Sequence, residues 1–447
     1  MKVAIRMADG SVRFQFHHVA QIFDFLLSVG IKPFVELGPM PQTMASGTTT
    51  FFYWHMNVTP PERWEEWELL IDAFMKFIIS EYGHDEIQEW CFEVWNEPNL
   101  SAFWTGSFHD YMRLYEISCN TIKSHSLNLK VGGPATAETG WIDEFLEACH
   151  IRSLPVDFVS THLYPQNEWL VYPEPGTNPY SRGEFFSERI IDTNRNLKNS
   201  YYPSASMFLT EWNSLSATNP EHVDWFANHS IDSIESAACI VRNMIKLDHH
   251  ADGLFWWVIT DVFEEAGIPQ SLYSGTYGFL NRTGKPKASY WAFKFLKMLS
   301  GPILDKQIIN RYCGYCATKE AQSTRVILWN DTPKEFEDSS WSDTITFKTS
   351  ETILGSMMTV RPLHGSGFET WEQMGRPQNP TQVQRLAIES SCYPDSTVID
   401  SSCVKFTLYP GEIAFIEIAP YYDNYIPKEL LSDSSNSWNA GLGTVRE

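Results

Sequence analysis

Basic residues are scarce in this chain. Lys and Arg number 33 against 55 Asp and Glu in 447 residues, a formal net charge of −22. A chain that acidic is repelled by polyphosphates and by anionic bilayers, which excludes nucleic acid and membrane surfaces as expected partners. No apolar run reaches the roughly 20 residues of a membrane span, and the opening "MKVAIRMADG" has no apolar secretory core. A glycine-rich phosphate turn is also missing. The one Gly pair that ends a strand-like run, Gly132-Gly133, leads into Pro134, which lacks the N–H a phosphate cradle would use. Cysteine is sparse, with eight in all. Cys91, Cys119, Cys149 and Cys239 fall inside apolar patterns, where a thiol behaves as a small hydrophobe. Cys313 and Cys316 form one C-x-x-C, but zinc would need Cys392 and Cys403 from most of a domain away. The expectation is a reduced, cytoplasmic protein with no metal and no cofactor, its homo-oligomeric state left open.

Aromatic residues are plentiful, with 17 Trp, 19 Tyr and 14 % aromatic content overall. Exposed rings are costly, so some of them should line a cleft for a flat, partly apolar ligand such as a sugar ring. Between residues 18 and 299 two patterns alternate. Short β-branched or aromatic runs are "KPFVELG" (32–38), "CFEVW" (91–95), "LKVGG" (129–133), "VDFVSTHLY" (156–164), "SMFLTEW" (206–212) and "GLFWWVI" (253–259). Between them lie helical stripes: Trp67, Ile71, Phe74 and Ile78; Met112, Tyr115, Cys119 and Ile122; Ile234, Ala238, Val241 and Ile245. A helix before the first run places Val19, Ile22 and Leu26 on one face, with Gly30 just past its end. Strands alternating with helices mean βαβ units and a parallel sheet.

Polar residues gather at the C-terminal ends of the runs: Glu36, Asn96-Glu97, His162, Tyr164 and Glu211. That end of a (β/α)8 TIM barrel is where active sites are built. Without a phosphate turn, the competing doubly wound sheet loses its usual signature. After about residue 300 the runs alternate at period two, as in "STRVILWND" and "EIAFIEIA", and predict an antiparallel β-sandwich. The expected division is a barrel over 1–300, a sandwich over 301–425 and a polar tail over 426–447.

Two carboxylates stand out, Glu97 in "CFEVWNEPNL" and Glu211 in "MFLTEWNS". A single Glu closing a strand is usually only solvated. Two of them, three strands apart in one ring, can flank a glycosidic bond, one giving the leaving oxygen a proton and the other attacking or stabilising the anomeric carbon. The amide of Asn96 can donate to a sugar hydroxyl.

"FEVWNEPNL" with "LTEWN" resembles the clan of retaining (β/α)8 glycosidases. Added to "GIKPFVELGPMPQTMASGTTTFFYW", "NVTPPERWEEWELLIDAF", "KVGGPAT", "VDFVSTHLYP", "TDVFEEAGIPQ" and "TWEQMGRPQNP", it is similar to glycoside hydrolase family 39, the β-xylosidase and α-L-iduronidase family. The resemblance implies that Glu97 is the acid/base and Glu211 the nucleophile, with their carboxyl groups roughly 5–5.5 Å apart. Glu97 would have to hold its proton at neutral pH through a partly apolar surround and the charge of Glu211. His162 and Tyr164 alternate on one strand end, and in the family such residues line the subsite and hydrogen-bond the nucleophile. Glu264 and Glu265 match family residues that accept bonds from sugar hydroxyls. Of Trp256 and Trp257, one should floor the sugar site and the other point away; Trp257 is taken as the substrate-binding residue. Glu36, Trp54 and Trp104 are weaker candidates.

The expected reaction is release of β-xylosyl units from xylo-oligosaccharides by double displacement. The alternatives are α-L-iduronidase or another β-glycosidase activity, or a catalytically dead carbohydrate-binding remnant. One feature departs from the family: six strand-like runs stand where a barrel has eight, and the acid/base falls on the second instead of the fourth. The expectation is therefore a barrel lacking its first one or two strands, truncated at the N-terminus.

Overall fold

The structure, a computed structural model, describes residues 2–165, 184–214, 231–262, 271–309, 312–332, 343–348, 356–399 and 403–420. A short hairpin comes first, β1 (Ala4–Arg6) on β2 (Val12–Phe14), and a two-residue pair β4 (Thr50–Phe51) and β5 (Met56–Asn57) braces the loop after β3 (Phe34–Leu37). The parallel sheet then takes β6 (Cys91–Val94), β7 (Lys130–Ala137), β8 (Phe158–His162), β9 (Ser206–Trp212) and β10 (Gly253–Trp256). Its order, β10-β9-β8-β7-β6-β3, is strictly sequential, and the helices Trp64–Tyr82, Phe108–His125, Ile142–Ile151, Phe185–Lys198 and Glu235–Lys246 cover one face. This is the curled sheet of a TIM barrel with six strands, matching the number of runs in the sequence.

Neither β3 nor β10 has a further ladder partner among the described residues. The two edges meet through side chains instead. Phe34 of β3 and Phe255 of β10 lie 4.8 Å apart edge to face, and Phe158 and Phe208 complete the cluster. Four rings therefore plug the lower lumen.

The helical stripes fall where the periodicity places them. Trp67, Ile71, Phe74 and Ile78 are buried, as are Met112, Tyr115, Cys119 and Ile122. Helix His17–Ser28 corrects one residue of its stripe: Val19 and Leu26 pack against the core as expected, but Ile22 does not. Its buried residue is Phe23, whereas Ile22 is 46 % and Phe25 63 % exposed. Phe23 packs 4.9 Å from Trp90 and takes the place expected of Ile22 between Val19 and Leu26. Gly30 does sit past the helix end, at φ 76°. The Gly pair has a packing reason as well. A Cβ on Gly132 would lie 2.2 Å from the Phe158 carbonyl, and one on Gly133 would lie 2.7 Å from the Tyr111 hydroxyl.

The antiparallel unit follows helix Ala288–Met298. Strands β11 (Ile303–Ile308), β12 (Cys313–Glu320), β13 (Ser323–Asn330), β15 (Ser356–Leu363), β16 (Thr397–Ile399) and β18 (Ile413–Pro420) make one sheet in the order β11-β12-β13-β18-β15-β16. Strands β14 (Asp343–Lys348) and β17 (Cys403–Leu408) pair separately. A pair of helices, Gly367–Gln373 and Gln382–Ser391, is inserted between β15 and β16, each opened by a capping box. The expected polar tail, 426–447, lies outside the described residues. Cys91, Cys119, Cys149, Cys239, Cys313, Cys316 and Cys392 are buried. Cys313 donates to Asn330 and Cys392 to the Ile388 carbonyl, so the C-x-x-C is part of the packing.

Candidate active site

Strand β6 stops at Val94 because the next residues leave the extended region. Trp95 takes φ 70° and Glu97 φ 45°, left-handed values that cost a non-glycine residue energy. The Glu97 N–H donates to the Ala135 carbonyl (2.8 Å), and the Trp95 indole donates to the Phe103 carbonyl (3.1 Å). These bonds hold the turn, and the turn aims Glu97 over the sheet. Asn96, between them, is half-buried. Glu211 needs no such turn, being a residue of β9 itself, three strands along from β6.

His162 closes β8 between the two. Its Nδ1 lies 2.9 Å from Glu97 Oε1 and 3.4 Å from Glu211 Oε2. Tyr164 donates its hydroxyl to Glu211 Oε1, and its own N–H lies 3.4 Å from Glu138 Oε1. Glu97, His162 and Glu211 each bring one atom within 4.8 Å of the others, the one His/Cys/Asp/Glu group of that closeness among the described residues.

The charges are coupled. Burial alone would push the His162 imidazole toward its neutral form; Glu211, Glu97 and Glu93 outweigh it and raise it to about 10. Burial pushes the Glu211 carboxyl up to about 7, against the opposing pull of His162 and the hydrogen bond from Tyr164. The direction follows from composition: one imidazole is shared among several carboxylates away from bulk water.

Sequence reasoning missed a lower tier. Glu93 on β6 is 3 % exposed and accepts from Thr210 Oγ1 (2.8 Å), and burial raises it. Glu36, a weaker candidate, is its register partner on β3; it keeps exposed surface, yet desolvation of its carboxyl and then the charge of Glu93 push it up too. The signal for Glu93 was a charged residue in mid-strand, in "CFEVW". Tyr277 was also missed; its ring lies 6.0 Å from that of Tyr164, edge to face.

The tryptophans separate cleanly. Trp256 packs 5.3 Å from both Trp212 and Phe293, on the helix side of the sheet. Trp257 follows the end of β10, and its N–H donates to the Trp212 carbonyl, next to Glu211 (2.9 Å). Trp104 is buried, donates to the Ser107 carbonyl and packs against Trp95, so it anchors its loop. Trp54 is exposed and stacks on Phe52. Glu264 and Glu265 lie outside the described residues.

The profile of "Glycosyl hydrolases family 39" matches residues 1–398. A β-xylosidase of Caldicellulosiruptor saccharolyticus is 40 % identical over 309 residues, 67 % of this chain and 60 % of that protein. A β-xylosidase of Geobacillus stearothermophilus is 32 % identical over 399 residues, 86 % of this chain and 75 % of that one. Among solved structures, a family 39 β-xylosidase from Caulobacter crescentus superposes with a TM-score of 0.77 at 27 % identity, covering 94 % of this chain and 86 % of its own. The chain thus spans 60 % of the length of the first relative and 75 % of the second. On the profile match and these relatives, the chain belongs to glycoside hydrolase family 39.

Proposed function

We propose that the chain is a retaining glycosidase that releases β-xylosyl units from xylo-oligosaccharides. One observation supports it above the others: oxygens of Glu97 and Glu211 lie within 4.8 Å on either side of His162. Retaining enzymes hold their carboxyl groups about 5–5.5 Å apart, whereas inverting ones leave room for a water at roughly 6.5–9.5 Å. In the first step Glu211 attacks the anomeric carbon, the glycosidic C–O bond breaks, and Glu97 passes its proton to the departing oxygen. In the second, Glu97 takes a proton from water, the resulting hydroxide equivalent attacks the same carbon, and Glu211 is released. His162 suits both halves. While Glu211 is charged, the imidazole faces that one carboxylate and the protonated Glu97. Once Glu211 is glycosylated its charge is gone, and the imidazole is left to stabilise an ionised Glu97.

The two xylosidase relatives support the sugar assignment. An α-L-iduronidase would need cations for the uronate carboxylate, and among the described residues no Lys or Arg bonds Glu97 or Glu211. Buried thiols suit the reducing compartment expected from the sequence, and no described helix is long and apolar enough to cross a membrane. The test is a panel of p-nitrophenyl glycosides and an α-L-iduronide, with the first-formed product followed by NMR. The β-xyloside should be cleaved fastest and give β-xylose first. An α-configured first product would overturn the mechanism, and faster iduronide cleavage would overturn the sugar.

Tyr164→Phe tests the nucleophile's environment. Losing a hydrogen bond to a charged group costs about 1.5–3 kcal/mol, so kcat/KM should fall roughly tenfold to a hundredfold. The sign of the pH effect follows from Tyr164 lowering Glu211. Glu211 must be ionised to attack, so activity is lost as pH falls through its pKa. Without the hydroxyl that acid limb should move to higher pH. An unmoved limb in a kcat/KM profile would remove Tyr164 from the nucleophile's shell.

A further inference from the structure

Lys287 precedes helix Ala288–Met298 and has no exposed side-chain surface. Its Nζ lies 2.5 Å from Asp232 Oδ1 and 2.8 Å from Asp261 Oδ1, and donates to the Thr276 carbonyl at 2.8 Å. Both aspartates are buried as well. A buried ion cluster is weak evidence for stability, because well-packed apolar groups often do as well or better. What distinguishes this one is the set of segments it joins.

Toward the site, the Gly278 N–H donates to Asp261 Oδ1, and residues 277–280 pair with 258–261 as a ribbon. In it Val258 donates to Tyr277, Phe279 to Val258, Leu280 to Ile259 and Asp261 to Leu280. Asn213 then bridges the ribbon to the catalytic strand. Its side-chain amide donates to the carbonyls of Trp257 and Tyr277, while Trp257 N–H donates to the Trp212 carbonyl (2.9 Å), next to Glu211. Away from the site, Asp232 Oδ2 accepts from Gly275 N–H (2.7 Å), and two residues on the Ile234 N–H donates to Glu369 Oε1 (2.7 Å). Tyr273 packs 5.7 Å from Phe368 and 5.5 Å from Trp371. The helical insert of the antiparallel unit is thus joined to the wall bearing Trp257 and Tyr277.

We infer that Lys287, held by Asp232 and Asp261, is a positioning residue for the glycosidase reaction. It sets the Trp257–Tyr277 wall against Glu211 and makes the helical insert part of the active-site scaffold. This rests on the proposed glycosidase function.

The test uses the full chain. Lys287→Met alone would strand two buried carboxylates, so the informative variant is Lys287→Met with Asp232→Asn. A misplaced binding wall costs up to about a hundredfold, so kcat/KM for the aryl β-xyloside should fall roughly tenfold to a hundredfold, mostly through KM. The control is Arg242→Met with Asp331→Asn, which removes another largely buried pair (2.9 Å), between helix Glu235–Lys246 and the residue after β13. It should move the melting temperature and leave KM alone. Glu369→Ala, which cuts the insert's bond without touching Lys287, should raise KM in the same direction by a smaller factor, and it serves if the double variant fails to fold. Unchanged KM in these variants, or an equal rise in the Arg242 control, would overturn the inference. A turnover-independent readout separates it from the proposed function. In protein labelled with fluorotryptophan, the Trp257 line, assigned through Trp257→Phe, should broaden or split in the Lys287 variant. If the wild type cleaves no glycoside, the proposed function fails. The line shape then decides the positioning role, a single unaltered line counting against it.

Discussion

Glu211→Ala should leave no measurable hydrolysis of any aryl β-xyloside, a loss of at least about 10⁴-fold, the scale seen when a covalent nucleophile is deleted. The reason lies in the geometry. Glu211 is fixed by β9, is held by the Tyr164 hydroxyl, and faces His162 at 3.4 Å. Alanine removes the attacking oxygen and leaves no described carboxylate in the same place; Glu93 lies lower, engaged with Thr210. Folding should survive, because the change also relieves a crowd of buried acids whose mutual repulsion helps raise Glu211. Substrate binding by Glu211→Ala, measured calorimetrically, should therefore persist while turnover does not. Hydrolysis within tenfold of wild type would end the double-displacement proposal.

Glu97→Ala should behave differently, and the difference is diagnostic. General acid catalysis contributes about 10²–10⁴-fold, and only where the leaving group needs a proton. A dinitrophenyl xyloside should still glycosylate Glu211 and show a burst, then stall because no base activates water. An unsubstituted xylobiose should barely react. Azide, small and already anionic, needs no base and can enter the space the side chain vacates, so it should restore turnover and yield β-xylosyl azide. A steady rate with no burst and no azide product would mean that Glu97 does something else.

Much of this was legible in the sequence. Strand order followed from six runs separated by helical stripes, since period-two and period-3.6 patterns are local properties. The Glu97 and Glu211 positions were legible because each carboxylate interrupts an apolar run at the same relative point. Three things were not. In helix His17–Ser28 Ile22 was expected in the core in place of Phe23, because both fit a stripe with Val19 and Leu26 and only the partner ring of Trp90 decides between them. Glu93 was passed over because a lone charge in a strand is normally solvent-facing, and its burial depends on Thr210, 117 residues later. The Lys287 cluster brings together residues 55 positions apart or closer in sequence, with no shared period, so that no local pattern could announce it.

The plugged lumen has a mechanical consequence. Glu97 follows β6 and Glu211 lies on β9, and β6, β7, β8 and β9 are joined in sequence by parallel ladders, with one register shift in β7–β8 and one in β8–β9. The seam, where Phe34 meets Phe255 without backbone bonds, lies on the opposite side of the ring. Compliance should therefore be concentrated at β3 and β10, whose outer amides ought to exchange with solvent first and those of β7 and β8 last. The spacing of the reacting carboxylates is thereby insulated from the ring's softest joint.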